Sequence, residues 1–157
     1  MVPVARMFEG TTVIRTYRPA DCEELLEVWA AASAVAHPFL DESFLEEERW
    51  NIRNVYLPKT ETWVWEADGQ VVGFIALLGN EVGAIFVDPR FHGTGIGRAL
   101  MDHARTLHGE LEVEVFKENA IGRAFYDRYG FVPMMEKVHE PTGQEVLRLR
   151  LAVDALR

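Results

Sequence analysis

Residues 85–100 of the chain read IFVDPRFHGTGIGRAL. The apolar run at its start predicts a β-strand that stops at Asp88-Pro89, because proline removes a backbone donor. From Ile96 onward, apolar residues recur at helical spacing as far as Leu107, which predicts an amphipathic helix. Strand, glycine-rich loop and helix therefore form one unit, around which the rest of the fold is organised.

Three glycines, at positions 93, 95 and 97, lie in this loop. Glycine lets the backbone turn tightly, so several N–H groups converge at the helix N-terminus and form an anion site. We therefore expect the loop to bind a phosphate. A Walker loop would end in Gly-Lys-Ser or Gly-Lys-Thr, and a dinucleotide fingerprint would need glycine in place of Arg98, so neither is present. A turn that only starts the helix remains the alternative.

The segments on either side predict further strands and helices. Asp68-Gly69, between two runs rich in Val, Trp, Phe and Ile, is a strong hairpin signal. The patterns predict strands at 13–17, 62–67, 70–78, 82–87, 110–115, 131–138 and 145–151, and helices at 21–36, 42–54, from 96, and at 119–129. This order predicts an α+β fold in which helices pack on the faces of one sheet.

The composition is that of one globular domain. With 157 residues, 48% of them hydrophobic, the chain has room for one core. We assign that domain to residues 13–157 and expect residues 1–12 to be a flexible N-terminal tail. Sixteen Lys and Arg against 25 Asp and Glu give a net charge of −9, which disfavours nucleic acid as a partner and favours a cationic one.

No stretch approaches the roughly 20 apolar residues that span a bilayer. We therefore expect no membrane partner. Residues 1–12 lack the apolar run of a signal peptide, so we expect a cytoplasmic protein. The expected oligomeric state is a monomer or a homodimer. Cys22 is the only cysteine, which excludes an internal disulfide, and its position on an apolar helix face predicts a packing role. The histidines lack the spacing of a metal-ligand motif, so no metal is expected.

Two stretches together resemble the GCN5-related N-acetyltransferases, the GNAT family. Residues 85–100 look like the family's loop for the pyrophosphate of acyl-CoA. Asn119, Phe125-Tyr126 and Gly130-Phe131 resemble a second family motif farther downstream. The resemblance covers nearly the whole chain and is closest to small single-domain bacterial members. It implies a central, mostly antiparallel mixed sheet flanked by about four helices.

The resemblance implies an N-acetyltransferase that moves the acetyl group of acetyl-CoA to a primary amine, by direct transfer in a ternary complex. The implied acceptor is a small-molecule amine, a protein lysine or a protein N-terminus. The stretches HPFL at 37–40 and WVW at 63–65 are similar to a subgroup proposed to acetylate protein lysines. A catalytically silent domain that binds acyl-CoA as a sensor is the alternative.

The resemblance also implies which residues hold the cofactor. The backbone at the strand end would bind the pantetheine arm like an added strand, and the loop amides would hold the pyrophosphate. His92 stands where the family usually has Arg or Gln, and a neutral imidazole offers one donor in place of several. The implied cofactor-binding residues are Ile85, Phe86, Val87, His92, Gly93, Thr94, Gly95, Ile96, Gly97, Arg98 and Asn119.

Transfer of an acetyl group from a thioester to an amine needs a base for the ammonium, a donor to the oxyanion and a proton for the thiolate. Tyr126 matches the family's catalytic tyrosine and is expected to supply that proton; packing in the core is its alternative role. Glu114 is the expected base that accepts the proton of the ammonium. Its alternative role is that of a solvated residue on the polar face of its strand, and Glu81 is the other candidate for the base. His37 and Phe39 are expected to line the acceptor pocket.

Overall fold

The computed structural model describes residues 12–152. The strands are β1 Thr12–Thr16, β2 Glu61–Ala67, β3 Gln70–Leu78, β4 Glu81–Val87, β5 Leu111–Phe116, β6 Val132–Val138 and β7 Glu145–Leu151. The α-helices are α1 Cys22–Ala36, α2 Glu42–Asn51, α3 Ile96–His108 and α4 Ala120–Tyr129. The predicted flexible tail lies outside the described residues, except for Thr12, which already belongs to β1.

The strands of this part of the chain form one sheet in the order β1-β2-β3-β4-β5-β7-β6. All neighbours are antiparallel except β4 and β5, which run parallel. The mixed, mostly antiparallel sheet flanked by helices is therefore confirmed. The predicted hairpin between β2 and β3 turns through Asp68 and Gly69, whose φ angles of 51° and 82° are those of a type I′ turn.

The two faces of the sheet carry separate apolar cores. One core lies under α1 and is called the α1-side core; the other lies under α3 and α4 and is called the α3-side core. Along β2, Val64 belongs to the α1-side core, whereas Trp63 and Trp65 belong to the α3-side core, as expected when successive side chains alternate. Cys22 is half-buried against the α1-side core, as predicted. The helices contribute Leu25, Leu26, Val28 and Trp29 to the α1-side core and Ile96, Leu100, Met101, Ala104, Tyr126 and Tyr129 to the α3-side core.

The parallel contact between β4 and β5 is short. It consists of the pairs Glu81–Glu112 and Val82–Val113, after which the two strands diverge. β4 continues beside β3, and β5 continues beside β7. The divergence leaves a gap between the two strands. Because the carboxyl ends of parallel strands lie at the same edge of a sheet, the segments that follow β4 and β5 start close together on either side of this gap.

The second predicted helix differs from the observed one. It was expected over 42–54, but α2 ends at Asn51 and the chain continues as a π-helical turn, Ile52–Tyr56. The Leu57 N–H donates to the Ile52 carbonyl at 2.9 Å, a bond that spans five residues. Ile52 and Leu57 both pack in the α1-side core, so the wider turn brings both residues to one face.

The helices of residues 12–152 include none that is long and apolar enough to cross a membrane. Within the same residues, the His, Cys, Asp and Glu side chains form no group of three or more that could hold a metal ion.

We predict that Leu100→Ala lowers the free energy of unfolding by about 2–5 kcal/mol, because Leu100 is fully buried between α3 and the sheet. Leu107→Ala on the same helix is the control. Leu107 is 45% exposed, so its truncation should cost less than about 0.5 kcal/mol. Urea denaturation of both variants gives the two values, and equal losses would contradict this packing of α3.

Candidate active site

A cavity of about 610 Å³ opens where β4 and β5 diverge. Residues 83–87 and 113–116 of the two strands line it, together with side chains from α1 and α4 and the loop before α3. In the described chain, residues 84–87 pair with β3 but not with β5, so one edge of β4 faces the cavity. An extended ligand can pair with such an edge like another strand.

The glycine loop forms one end of this cavity. Gly93 and Gly95 have φ angles of 79° and 95°, a left-handed conformation in which glycine is favoured over other residues. Gly95 is the N-cap of α3, and the N–H groups of the first turn, Ile96 to Arg98, have no acceptor within the helix. These donors and the helix dipole make the loop a site for an anion.

Gly97 lies at a close contact between two helices. A Cβ at this position would lie 3.3 Å from the ring of Phe125 on α4. The absence of a side chain therefore lets α4 pack closely against the first turn of α3, next to the loop.

The side chains of Thr94, His92 and Arg98 contact neighbouring protein groups. The Thr94 hydroxyl is buried and donates to the Phe91 carbonyl at 2.6 Å. His92 Nε2 lies 2.9 Å from the Val87 carbonyl, so a neutral imidazole uses its one N–H on the end of β4. The Arg98 guanidinium lies over the Tyr129 ring, 6.0 Å from its centre. The backbone amides are therefore the main anion donors, and His92 offers a second N–H only when protonated.

Helix α4 brings two of the predicted residues to the cavity wall. Asn119 is its N-cap, and its Oδ1 accepts from the Gly122 N–H at 2.8 Å. Tyr126 is 7% exposed and packs edge-on against Phe125 and Phe131. Burial raises the pKa of its hydroxyl above the usual range, so Tyr126 is protonated at neutral pH. Tyr126 thus lines the cavity and packs in the α3-side core at once.

Three glutamates of β4 and β5 share one arginine of β7. Arg148 lies 3.0 Å from a carboxylate oxygen of Glu81, 3.0 Å from one of Glu114 and 2.7 Å from one of Glu112. Lys137 on β6 lies 2.8 Å from Glu114. Glu81 and Glu114 line the cavity.

The two predicted bases therefore differ in their surroundings. Partial burial would by itself raise the pKa of Glu114, but hydrogen bonds from Lys137 and Arg148 outweigh it and hold that pKa below its usual range. Among residues 12–152, the cationic partner of Glu81 is Arg148 alone, and the Glu81 side chain is 38% exposed. Glu114 therefore has two cationic partners that stabilise its carboxylate form.

The opposite end of the cavity is mostly apolar and lies against α1 and the α2 region. His37, which follows α1, lines it, and so does Tyr56. Phe39 does not lie in the lining; its ring packs edge-on behind His37, with the ring centres 5.8 Å apart. Its expected contact with the acceptor stays a prediction.

His37 sits among aromatic rings and contacts Phe39, Phe86 and Phe116 edge-on. Burial lowers its pKa to about 4, so the imidazole is neutral at physiological pH. Its Nε2 lies 3.1 Å from Nδ2 of Asn119. This contact joins the end of α1 to the start of α4 across the cavity.

Sequence reasoning did not find three of these side chains. Arg148 and Lys137 come from the last two strands, and Ser33 lines the cavity from α1, its buried hydroxyl without a hydrogen-bond partner among the described residues. Residues 147–151 read LRLRL, which complements the alternation of glutamates in β5. That pattern signals Arg148 once β5 and β7 are known to pair. Nothing in the local sequence singles out Ser33.

Comparison with known proteins gives a consistent result. The model of the acetyltransferase (GNAT) domain matches residues 58–133. Peptidyl-lysine N-acetyltransferase YiaC of Escherichia coli K12 is 32% identical over 120 residues, which cover 76% of this chain and 82% of YiaC. Peptidyl-lysine N-acetyltransferase YjaB of the same organism is 36% identical over 120 residues, covering 75% and 80%.

Solved structures agree in fold. The apo-form solution structure of YjaB from Escherichia coli has a TM-score of 0.81 at 30% identity and covers 90% of this chain and 97% of that one. The PaiA N-acetyltransferase of Thermoplasma acidophilum, in complex with coenzyme A, has a TM-score of 0.73 at 19% identity, covering 90% and 100%.

We predict that His37 makes the protein less stable in mild acid. Its pKa is lower in the folded state than in the unfolded chain, where it is about 6.5, so its contribution is fully present above pH 6.5 and is lost as the pH falls toward 4. Between pH 7 and pH 5, the free energy of unfolding should fall by about 2 kcal/mol more for the wild type than for His37→Gln. Denaturant titrations at several pH values measure this difference, and parallel curves would contradict a neutral buried His37.

Proposed function

The chain belongs to the GNAT family of acetyltransferases, and we propose that it transfers the acetyl group of acetyl-CoA directly to the primary amine of a lysine side chain. The observation that carries this proposal is the single cavity between β4 and β5. It joins an anion site of backbone amides at one end to Tyr126 and two carboxylates farther along. An acyl-CoA and an amine can therefore meet within one site.

The geometry of the loop and of β4 supports acetyl-CoA as the acetyl donor. The amides of the first turn of α3 suit the pyrophosphate, and the open edge of β4 suits the amide groups of the pantetheine arm. Coenzyme A is bound to the PaiA N-acetyltransferase of the same fold, which is consistent with this assignment. Acetyl-CoA would supply an acetyl group activated as a thioester.

Residues of the chain account for the proton transfers. We assign Glu81 to take one proton from the acceptor's ammonium, because Glu114 has a lowered pKa and two cationic partners. The free amine nitrogen then bonds to the carbonyl carbon, and the carbon–sulfur bond breaks. Tyr126 gives its proton to the departing sulfur, while the second proton of the amine nitrogen leaves to water.

The acceptor assignment rests on charge and on relatives. YiaC and YjaB are named peptidyl-lysine N-acetyltransferases, and each is over 30% identical to this chain. A net charge of −9 attracts cationic peptides. Glu48, Glu81 and Glu114 line the cavity that the amine would enter.

The test is an assay for thiol release from acetyl-CoA with lysine peptides, α-amino peptides, polyamines and aminoglycosides as acceptors. We expect lysine peptides to give the highest kcat/KM. Turnover on another amine only would overturn the acceptor assignment. Acetyl-CoA binding without turnover on any acceptor would instead indicate a silent acyl-CoA sensor.

We predict that Tyr126→Phe lowers kcat by about 100-fold or more, because the departing thiolate loses its proton donor. The affinity for CoA, measured by calorimetry, should change little because Phe keeps the ring packing. Tyr129→Phe is the matched control on the same helix, since the Tyr129 hydroxyl donates to Asp102 at 2.5 Å rather than to the cavity. An unchanged kcat in Tyr126→Phe would remove this residue from the mechanism.

The pH–rate profiles of two variants distinguish whether Glu81 or Glu114 is the base. We predict that Glu81→Gln abolishes the acidic limb of the kcat/KM profile, because the free base is no longer present. Glu114→Gln should keep that limb. The reverse result would assign the base to Glu114.

A further inference from the structure

Asn119 and His37 form a contact whose polarity is fixed by the backbone. Oδ1 of Asn119 accepts from the Gly122 N–H at 2.8 Å, which identifies the other end of the amide as Nδ2. Nδ2 lies 3.1 Å from His37 Nε2. An amide NH₂ group can only donate, so Nε2 of His37 must be the acceptor and carries no hydrogen.

The hydrogen of a neutral imidazole must then be on Nδ1. The surroundings keep the ring neutral, because the aromatic contacts of His37 are Phe39, Phe86 and Phe116, and burial disfavours the cation. With its lone pair occupied by Asn119, His37 is not available as a base. His37 lines the cavity, and its Nδ1–H is the group that is left to donate.

We propose that Asn119 holds His37 in its Nδ1–H form and that this N–H donates to a carbonyl oxygen of the acyl-pantetheine in the cavity. The proposal rests on the proposed use of acetyl-CoA. The ring of His37 packs on Phe86, in the part of β4 whose free edge faces the cavity. A carbonyl oxygen complements a neutral donor, and an uncharged imidazole does not repel the acceptor's ammonium.

Asn119 then acts as a positioning residue. Its amide caps α4 with one end and sets the tautomer of His37 with the other. Gly122 is needed for this arrangement, since a Cβ there would lie 2.5 Å from Nδ2 of Asn119. The glycine in the first turn of α4 therefore leaves space for the amide that orients the imidazole.

The tautomer is tested by nitrogen NMR on ¹⁵N-histidine-labelled protein without ligand. The signal of His37 is identified by its loss in His37→Gln, and we expect the Nδ1–H pattern in the wild type. Asn119→Asp should keep the cap on the Gly122 N–H but present an acceptor to His37, which shifts the hydrogen to Nε2. Gly122→Ala should weaken the Nδ1–H form while residues 37 and 119 stay unchanged. An Nε2–H pattern in the wild type would overturn the proposal, whatever the activity.

The donor role is tested by titration of the full chain with CoA and acetyl-CoA. His37→Gln keeps an acceptor for Asn119 but has no donor at the Nδ1 position, and we expect about tenfold weaker binding of acetyl-CoA. His37→Asn can place an amide N–H near that position and should recover part of the loss. Equal losses for CoA and acetyl-CoA would assign the bond to a pantetheine carbonyl, and a loss for acetyl-CoA alone would assign it to the thioester.

Wild-type affinity of His37→Gln for both ligands would overturn the donor role. If the wild type binds neither ligand, the proposed use of acetyl-CoA fails, and the NMR result still decides the tautomer. The melting temperature of each variant shows whether a change in affinity comes from loss of the fold.

Discussion

The short parallel contact between β4 and β5 is the constraint on which the site depends. Two residue pairs hold the strands together, and beyond them β4 exposes backbone groups that a continuous sheet would have satisfied. Buried backbone donors and acceptors need partners, so this edge favours an extended polar ligand. Because the strands are parallel, the loop to α3 and the start of α4 leave from the same edge. The anion site and Tyr126 are therefore brought to one cavity by topology.

Backbone dipoles and charged side chains contribute to the electrostatic potential at different parts of the cavity. Two cations of the segments that follow β4 and β5 are already paired: Arg90 with Asp88, and Lys117 with Glu136 and Glu145. The anion site thus relies on amides and a helix N-terminus, which keep their polarity in an acidic protein. Elsewhere along the cavity, Arg148 pairs with Glu81 and Glu114. The cavity wall thus combines backbone donors at the loop with carboxylates that are paired to side-chain cations.

Much of the fold and part of the site can be predicted from local patterns. Alternation, turn residues and helical spacing depend on neighbours in the chain, which is why β3, β7 and α1 were predicted so closely. The π-helical turn after α2 was not, because it follows from how Ile52 and Leu57 meet the core. The partners of Glu114 could not be predicted from local patterns either, because Arg148 and Lys137 contact Glu114 only through the pairing of distant strands.

The sequence by itself determined the strand, loop and helix unit, the glycines at positive φ and the presence of Tyr126 in an amphipathic helix. These features depend on residue types and spacing alone. Only the tertiary structure decided how the chemistry is shared among the side chains. It gave Glu114 a second cationic partner, turned His92 to the end of β4 and joined His37 to Asn119. Such roles depend on contacts between segments distant in the chain, and therefore on the packing of the sheet and its helices.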